Sequence, residues 1–157
     1  MIKAGILLFF SFAFLMTDSS QAQVFTGGSV GVHYSRGYYI EASPIIGYRM
    51  GIVDVGISPF FSYREYRDRD NRYSYGNRIF TQVSPVPQVF GHAEFEITNI
   101  EHGGERKWIT GLPVGAGYRY SLGSRSEAYG MVLYDLLLDD DSPVENPIVR
   151  GGVIYRF

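Results

Sequence analysis

The sequence predicts an all-β protein: a closed antiparallel up-and-down transmembrane β-barrel of about eight strands. The last twelve residues, Asn146 to Phe157, alternate apolar or aromatic positions with positions that carry arginine, and they stop at a terminal Phe. Segments with the same period of two follow one another along the chain. Beyond residue 22 the chain has no apolar run of the roughly 20 residues that a spanning helix needs. A membrane-embedded form of this chain must therefore be a closed barrel, because only that structure satisfies every strand backbone group in lipid.

The N-terminus has the pattern of an export signal. Lys3 precedes an apolar run from Ile6 to Met16, and Ser20 and Ala22 are small residues at the positions that a signal peptidase reads. We expect residues 1–22 to be a cleaved signal peptide and residues 23–157 to form one domain. The competing interpretation, a transmembrane helix, requires a run about twice as long.

The composition restricts the class of protein. The chain has no cysteine, so an exported form must be stabilised by hydrogen bonding and packing rather than by disulfides. Its net charge of -2 leaves no electrostatic basis for binding nucleic acid, and we expect no such partner. The 13 tyrosines, 11 phenylalanines and 19 glycines favour strands joined by turns.

Eight segments have the period-two pattern of a half-buried strand. The clearest is the third, in which Val53, Val55 and Ile57 alternate with polar or small residues. Eight strands of about ten residues fit the length of the expected domain. The predicted strands are Val24–Tyr34, Tyr38–Arg49, Ile52–Arg64, Tyr75–Ser84, Gln88–Asn99, Lys107–Tyr120, Glu127–Leu137 and Asn146–Phe157.

The predicted connections mostly alternate between tight and long, and the short first loop at Arg36 is the exception. Outer-membrane barrels have short periplasmic turns and longer extracellular loops. The polar segments Arg64–Arg78, Asn99–Arg106 and Leu138–Pro147 are therefore expected to face outward. Prolines are unfavourable inside a ladder because they cannot donate a hydrogen bond. This leaves the local register open near Pro44, Pro59 and Pro113.

The charged faces of the strands are predicted to line the lumen, since Arg or Lys facing lipid at the midplane costs about 2–4 kcal/mol. The signs in this set nearly balance, and eight strands enclose just enough width for side chains. We therefore expect a salt-bridged, filled interior that does not conduct freely. The predicted inward residues are Glu41, Arg49, Asp54, Arg64, Arg78, Glu94, Glu96, Lys107, Arg119, Glu127, Asp135, Arg150 and Arg156.

No catalytic, cofactor-binding or metal-binding motif is present, and we expect the protein not to be an enzyme. The stretch Gly27-Gly28-Ser29 lies within a predicted strand and lacks the strand–turn–helix context of a GxSxG nucleophile elbow, and HExxH is absent. His92 shares a face with Glu94 and Glu96, which could bind a metal or serve a membrane enzyme. Such a histidine more often belongs to a structural network.

Tyrosines and arginines interleave around the third and fourth strands. Tyr63, Tyr66, Tyr73 and Tyr75 could form a stacking patch for sugars or nucleic acid. The interpretation we favour is an aromatic girdle together with a solvated loop.

With these features the chain resembles the small outer-membrane β-barrel proteins of double-membraned bacteria, over essentially all of residues 23–157. The most specific part of the resemblance is the C-terminus, where Val153, Tyr155 and Phe157 resemble the signal read by the barrel-assembly machinery. The resemblance implies location in the outer membrane, with lipid and that machinery as partners. It implies no particular reaction, cofactor or loop ligand.

The expected function is that of a structural or surface-interaction barrel acting through its extracellular loops. The alternative is a soluble lipocalin-like eight-stranded barrel that binds a small ligand. In that protein the apolar face would point inward and the charges outward.

Overall fold

The computed structural model describes residues 23–34, 37–67 and 72–157, so the predicted signal peptide lies outside the described residues. The described chain is almost entirely β-strand. Within it, no helix is long and apolar enough to cross a membrane. The strands are β1 (Gln23–Tyr34), β2 (Gly37–Met50), β3 (Val53–Tyr66), β4 (Arg72–Val86), β5 (Val89–His102), β6 (Glu105–Gly111), β7 (Pro113–Ser121), β8 (Ser126–Asp135) and β9 (Ile148–Arg156).

The strands form one closed antiparallel ring. Consecutive strands pair from β1 to β5, β7 pairs with β8, and β9 pairs with both β8 and β1. β6 and β7 both pair with β5 in a single continuous register and are two parts of one crossing strand. The barrel therefore has eight crossing strands, which confirms the predicted fold class.

The two ends of the barrel differ. Short turns join β2 to β3, β4 to β5 and β7 to β8 at the end that also carries Gln23 and Phe157, and we call it the terminal end. The other end, the loop end, carries the remaining connections, including the twelve-residue span between β8 and β9.

Two of the three predicted long loops are mostly strand. For the segment that begins at Arg64 the sequence also allowed an extension of the neighbouring strands, whereas the prediction of a loop at Asn99–Arg106 was wrong. β3 and β4 continue past Tyr63 and Tyr73, which pair across the ladder, and β5 and β6 continue to a tight turn at Gly103 and Gly104. Both glycines have positive φ, which suits that turn. Their polar composition indicated loops, but cross-strand pairing extends the hairpins. The 14 residues of β3 exceed the roughly 9–11 that cross a bilayer.

The prolines leave the register unshifted. Ala42 pairs with Phe61 and Ile46 with Ile57, so Pro44 and Pro59 face each other in the rung between them. Each lacks the N–H that its partner's carbonyl would accept. The hydroxyl of Ser43 donates to the Pro59 carbonyl at 2.9 Å, and the hydroxyl of Ser58 donates to the Pro44 carbonyl at 3.0 Å.

Pro113 marks the break between β6 and β7 at Leu112, where the register to β5 also continues. The backbone N–H of Leu112 donates to Oδ1 of Asp135 at 2.8 Å, and the Leu112 carbonyl accepts from Leu136 at 3.1 Å. The interruption is therefore satisfied locally.

The barrel is apolar outside and charged inside. Val32, Ile57 and Ile79 are 59%, 50% and 66% exposed, whereas Glu41 and Asp54 are 2% and 1% exposed. Soluble monomers rarely expose so continuous an apolar surface. This arrangement is that of a transmembrane barrel and the reverse of the lipocalin-like alternative. Other exposed apolar residues are Val30, Ile40, Ile46, Phe61, Phe95, Ile97, Tyr118, Val132, Tyr134, Val149 and Val153.

Five inward aromatic rings lie over glycines directly opposite them in the neighbouring strand. A methyl group on Gly117 would lie 2.3 Å from Cζ of Phe90, and one on Gly47 would lie 2.3 Å from Cζ of Phe25. The missing side chain makes room for the ring inside a narrow lumen. The pairs are Phe25 with Gly47, Phe80 with Gly56, Phe60 with Gly76, Phe90 with Gly117, and Tyr129 with Gly152.

Candidate functional site: the lumen charge network

Arg78 of β4 is the centre of the lumen network. Its Nη1 and Nη2 donate to the two carboxylate oxygens of Glu41 at 2.7 and 2.6 Å, and its Nε donates to Glu96 at 2.6 Å. The guanidinium also lies 3.8 Å from the ring centroid of Phe60. Tyr39 donates its hydroxyl to Glu41 at 2.6 Å. Charge-assisted bidentate pairs of this kind are strong and fix geometry.

Arg150 of β9 reaches across the lumen. Its Nη1 donates to Oε1 of Glu94 at 2.5 Å, and its guanidinium lies 3.4 Å from Glu41 and 3.5 Å from Glu96. Arg78 also lies 3.5 Å from Glu94. Two guanidiniums and three carboxylates thus share one cluster that links β2, β4, β5 and β9.

His92 connects this cluster to a second one nearer the terminal end. Oε1 of Gln82 accepts from Arg119 at 2.5 Å, so the Gln82 amide nitrogen is the donor to Nδ1 of His92 at 2.9 Å. Nε2 of His92 must then carry the proton and donate to Glu94 at 2.8 Å. Both ring nitrogens are occupied. His92 therefore acts as a structural link between the two clusters.

Asp54 anchors the second cluster. Arg49 donates to both of its carboxylate oxygens at 2.6 Å, and Arg119 donates to it at 3.0 Å. The Arg119 guanidinium stacks 4.6 Å from the Phe90 centroid. Four carboxylates and four guanidiniums meet in the two clusters, so their formal charges cancel. The members are Glu41, Asp54, Glu94, Glu96, Arg49, Arg78, Arg119 and Arg150.

The remaining residues predicted for the lumen lie nearer its ends. Glu127 and Arg156 form a separate ion pair at the terminal end. Asp135, at the end of β8, accepts from the backbone of Leu112 and Leu137 rather than joining the clusters. Lys107 pairs with Asp141 of the β8–β9 connection.

The predicted inward set also included Arg64. It is buried near the loop end, where its guanidinium lies 5.0 Å from the Tyr66 ring centroid.

Sequence reasoning missed the neutral members and the apolar filling. Tyr39, Gln82 and Thr98 carry no charge that indicates a partner, yet each donates to or accepts from a network member. The apolar side chains that fill the lumen have one signal in the sequence. They are apolar residues at inward positions of strands whose outward positions are apolar as well. The buried apolar cluster is Phe25, Tyr39, Ile45, Phe80, Phe90, Tyr129, Met131, Leu133, Val144, Ile148 and Ile154.

The loop end is covered by the β8–β9 connection. Val144 is 8% exposed and belongs to the buried cluster, so the segment that was predicted to face outward also places one apolar side chain in the lumen. Asn146 exchanges two hydrogen bonds with the backbone of Asp135, at 2.7 and 3.0 Å. Asp141 pairs with Lys107 and lies 3.0 Å from His102.

Small cavities lie between the side chains of the lumen. Two cavities of about 10 and 20 Å³ lie within it, and the larger is lined by His92 and Glu94 among others. Each has room for about one water molecule. Among the described residues, no group of three or more His, Asp or Glu side chains is arranged to hold a metal ion.

The three residues predicted to form the assembly signal lie at the seam between first and last strands. Val153, Tyr155 and Phe157 are 49%, 40% and 65% exposed. The rings of Tyr155 and Phe157 meet edge to face with centroids 5.3 Å apart. The backbone N–H of Phe157 donates to Val24 at 3.2 Å, so the last residue still pairs with β1.

A scan against protein-family models finds no match, and a search of the curated proteins finds none either. Among solved structures, Neisserial surface protein A matches at 15% identity and TM-score 0.47, covering 87% of this chain and 97% of its own. The N-terminal β-barrel domain of Pseudomonas aeruginosa OprF matches at 19% and 0.47, covering 87% and 100%. A de novo designed transmembrane β-barrel matches at 12% and 0.47, covering 86% and 95%. Similarity at this level indicates no function for this chain. Its fold is assigned from its own closed ring of paired strands.

Proposed function

We propose that this protein is an integral outer-membrane barrel whose plugged lumen makes it a structural or surface-interaction protein rather than a channel. The single observation that supports this most strongly is the separation of chemistry across each strand. Apolar side chains face out around the ring, and the ionised groups face in and neutralise one another. Lipid is the solvent that fits such a surface.

The proposed orientation places the loop end outside the cell and the terminal end in the periplasm, because the longest connection belongs to the outward side. Interaction with external partners then falls to the hairpin ends of β3–β4 and β5–β6 and to the β8–β9 connection.

Fractionation tests the location. The protein is expected in the outer-membrane fraction, extractable only with detergent, and it should migrate faster on a gel before boiling than after. Recovery in the soluble periplasm without detergent would contradict the proposal.

Val153, Tyr155 and Phe157 are proposed as the signal that the barrel-assembly machinery reads. Deletion of Phe157 is expected to lower the amount of heat-modifiable protein in the outer membrane severalfold, because it removes the terminal ring and the last hydrogen bond to β1. A matched control is Phe95→Ala, which removes an exposed ring from the middle of β5. Normal membrane levels of the truncated protein would overturn this role.

A further inference from the structure

The outside of β3 to β6 carries a contiguous group of aromatic side chains near the loop end. We call it the outer aromatic patch, and its members are Phe61, Tyr63, Tyr73, Tyr75 and Trp108. The ring centroid of Tyr73 lies 5.8 Å from that of Phe61 and 5.0 Å from that of Tyr63, and Tyr75 meets Trp108 edge to face at 6.1 Å. Phe61 and Tyr75 are opposite each other in the ladder, which joins the two groups.

Arg106 is the cation of this patch. Its Nη1 donates to Oδ1 of Asn99 at 2.9 Å, and its guanidinium lies 5.3 Å from the centroid of Tyr75. Glu101 is opposite Arg106 in the β5–β6 ladder. Arg106 instead contacts Asn99, which pairs with Trp108 two residues closer to the middle of the barrel. An arginine has five N–H donors, and the contact to Asn99 occupies one of them.

The patch lies at the boundary between the apolar band and the solvent-exposed hairpins. Along β4, Tyr75 is followed toward the middle of the barrel by Asn77 and then by Ile79, which pairs with Ile57 and Phe95. Aromatic side chains favour this level because their rings are amphipathic. A cation here faces the headgroups of the surrounding lipid and not the hydrocarbon.

The acidic residues of the loop end lie beside the β5–β6 hairpin, where Asp141 pairs with Lys107 and lies 3.0 Å from His102. The β8–β9 connection carries Asp139, Asp140 and Asp141, with Leu136 and Leu137 exposed beside them. Lys107 and Arg106 are neighbours on β6 and have opposite parity, so these carboxylates meet the lumen side of the hairpin and Arg106 faces outward.

We propose that the outer aromatic patch and Arg106 bind the phosphorylated headgroup of a lipid in the outward-facing leaflet. Arg106 donates to the phosphate, and Tyr75 and Trp108 pack against the adjoining sugar or acyl atoms. The proposal rests on the membrane location proposed above. Contact to Asn99 and Tyr75 holds the guanidinium in place before the lipid arrives, which favours binding.

Trp108 provides the readout because it is the only tryptophan in the sequence. The full-length barrel is reconstituted into phosphatidylcholine vesicles that contain increasing mole fractions of diphosphoryl lipid A, or of the same lipid without its phosphates. Half of the Trp108 fluorescence change is expected at about fivefold lower mole fraction of the phosphorylated lipid, the gain typical of one basic residue at an anionic surface. Equal half-points for the two lipids would overturn the proposal.

Two variants and a competitor complete the test. Arg106→Gln should move the half-point for the phosphorylated lipid to that of the dephosphorylated lipid. Arg125→Gln, which changes an exposed arginine at the terminal end, should leave it unchanged, and an equal loss in both variants would contradict a specific surface. Removal of the difference by millimolar inorganic pyrophosphate would assign the site to free phosphate instead of lipid.

The same samples separate the two proposals. Protein that floats with the vesicles and migrates in a heat-modifiable way, yet does not distinguish the lipids, contradicts only the headgroup site. Protein that neither floats nor shows heat-modifiable migration contradicts the membrane location itself.

Discussion

Arg78 shows at the scale of one residue how a buried charge becomes tolerable. It is 2% exposed, and the oxygens of Glu41 and Glu96 together accept all three of its closest donors. Replacing a whole buried ion pair with apolar groups is often neutral, whereas removing one partner leaves the other charged and unpaired. The stability of the barrel therefore depends on complete sets of partners more than on any one contact.

Arg78→Met is expected to lower the free energy of unfolding by about 3–5 kcal/mol, the usual loss when one member of a buried pair is removed. Urea unfolding in vesicles, followed by Trp108 fluorescence, measures it. Adding Glu41→Gln to the same chain should recover part of the loss, because it removes one unpaired charge. Arg125→Met is the control at an exposed site, and a similar loss there would contradict the explanation.

Gly117 leaves the space that the ring of Phe90 occupies. Gly117→Ala is expected to destabilise the barrel by about 1–3 kcal/mol, the cost of overpacking, because a methyl group would meet Phe90 and the carbonyl oxygen of Gly130, 2.6 Å away. Gly91→Ala is the matched control, since no atom lies within 4 Å of a methyl group there. The urea midpoint should fall in the first variant and stay unchanged in the second. Equal midpoints would show that the ring does not need the space.

At the scale of an element, the β8–β9 connection is a cap that electrostatic contacts hold. The hydrogen bond from Lys107 lowers the pKa of Asp141 below its ordinary value of 3.8. A carboxyl with a lowered pKa in the folded state stabilises that state above its ordinary pKa. This contribution is lost as the pH falls through the folded-state value.

Acidification to about pH 3 is therefore expected to loosen residues 136–147 before the barrel itself unfolds, since that pH lies below the ordinary carboxyl pKa. Hydrogen-exchange protection factors for these amides, compared between pH 6 and pH 3, measure the effect. Asp141→Asn should produce the loosening already at pH 6, whereas Asp140→Asn should not. Unchanged protection in Asp141→Asn would show that Val144 and Asn146 hold the segment without the ion pair.

At the scale of the whole molecule, the lumen is crossed by ion pairs between distant strands. Arg150 on β9 reaches Glu94 on β5, and Arg119 on β7 reaches Asp54 on β3. An ion would have to displace these pairs, because the cavities between them hold about one water molecule each.

The purified barrel is accordingly expected to show no stepwise conductance in planar bilayers. The experiment needs a porin in the same bilayer as a positive control, since barrels of 16–18 strands enclose an aqueous channel of the kind expected to be absent here. Reproducible unitary currents from this protein, scaling with its amount, would contradict the plugged lumen.

The strand faces could be predicted from the sequence because the period of two is local information. Glu41, Asp54 and Arg150 lie on the inward side for this reason alone. The alternation does not indicate, however, how far along the barrel axis a residue lies. Lys107 and Asp135 have inward parity but lie at strand ends near the loop end, outside the central clusters.

Partners across the lumen could not be predicted, because they depend on how the ring closes. Arg119 meets Asp54 and Gln82 only once β7 and β3 have been placed on facing sides of one cylinder. Loop lengths were mispredicted for a related reason. The charged residues around Arg64 and Arg72 indicate solvent, and a ladder that projects beyond the membrane is also solvated.

The rung of Pro44 and Pro59 has a consequence for how this sequence can vary. The hydroxyls of Ser43 and Ser58 are needed because the two prolines supply no amide hydrogen. Substitutions at these four positions are therefore expected to be coupled. Losing a serine alone strips a carbonyl of its donor in lipid, where each unsatisfied group costs several kcal/mol. Losing a proline restores an amide, so one serine hydroxyl is no longer needed as the donor to that carbonyl. In related chains the two serine positions should therefore covary with the two proline positions and drift where the prolines are absent.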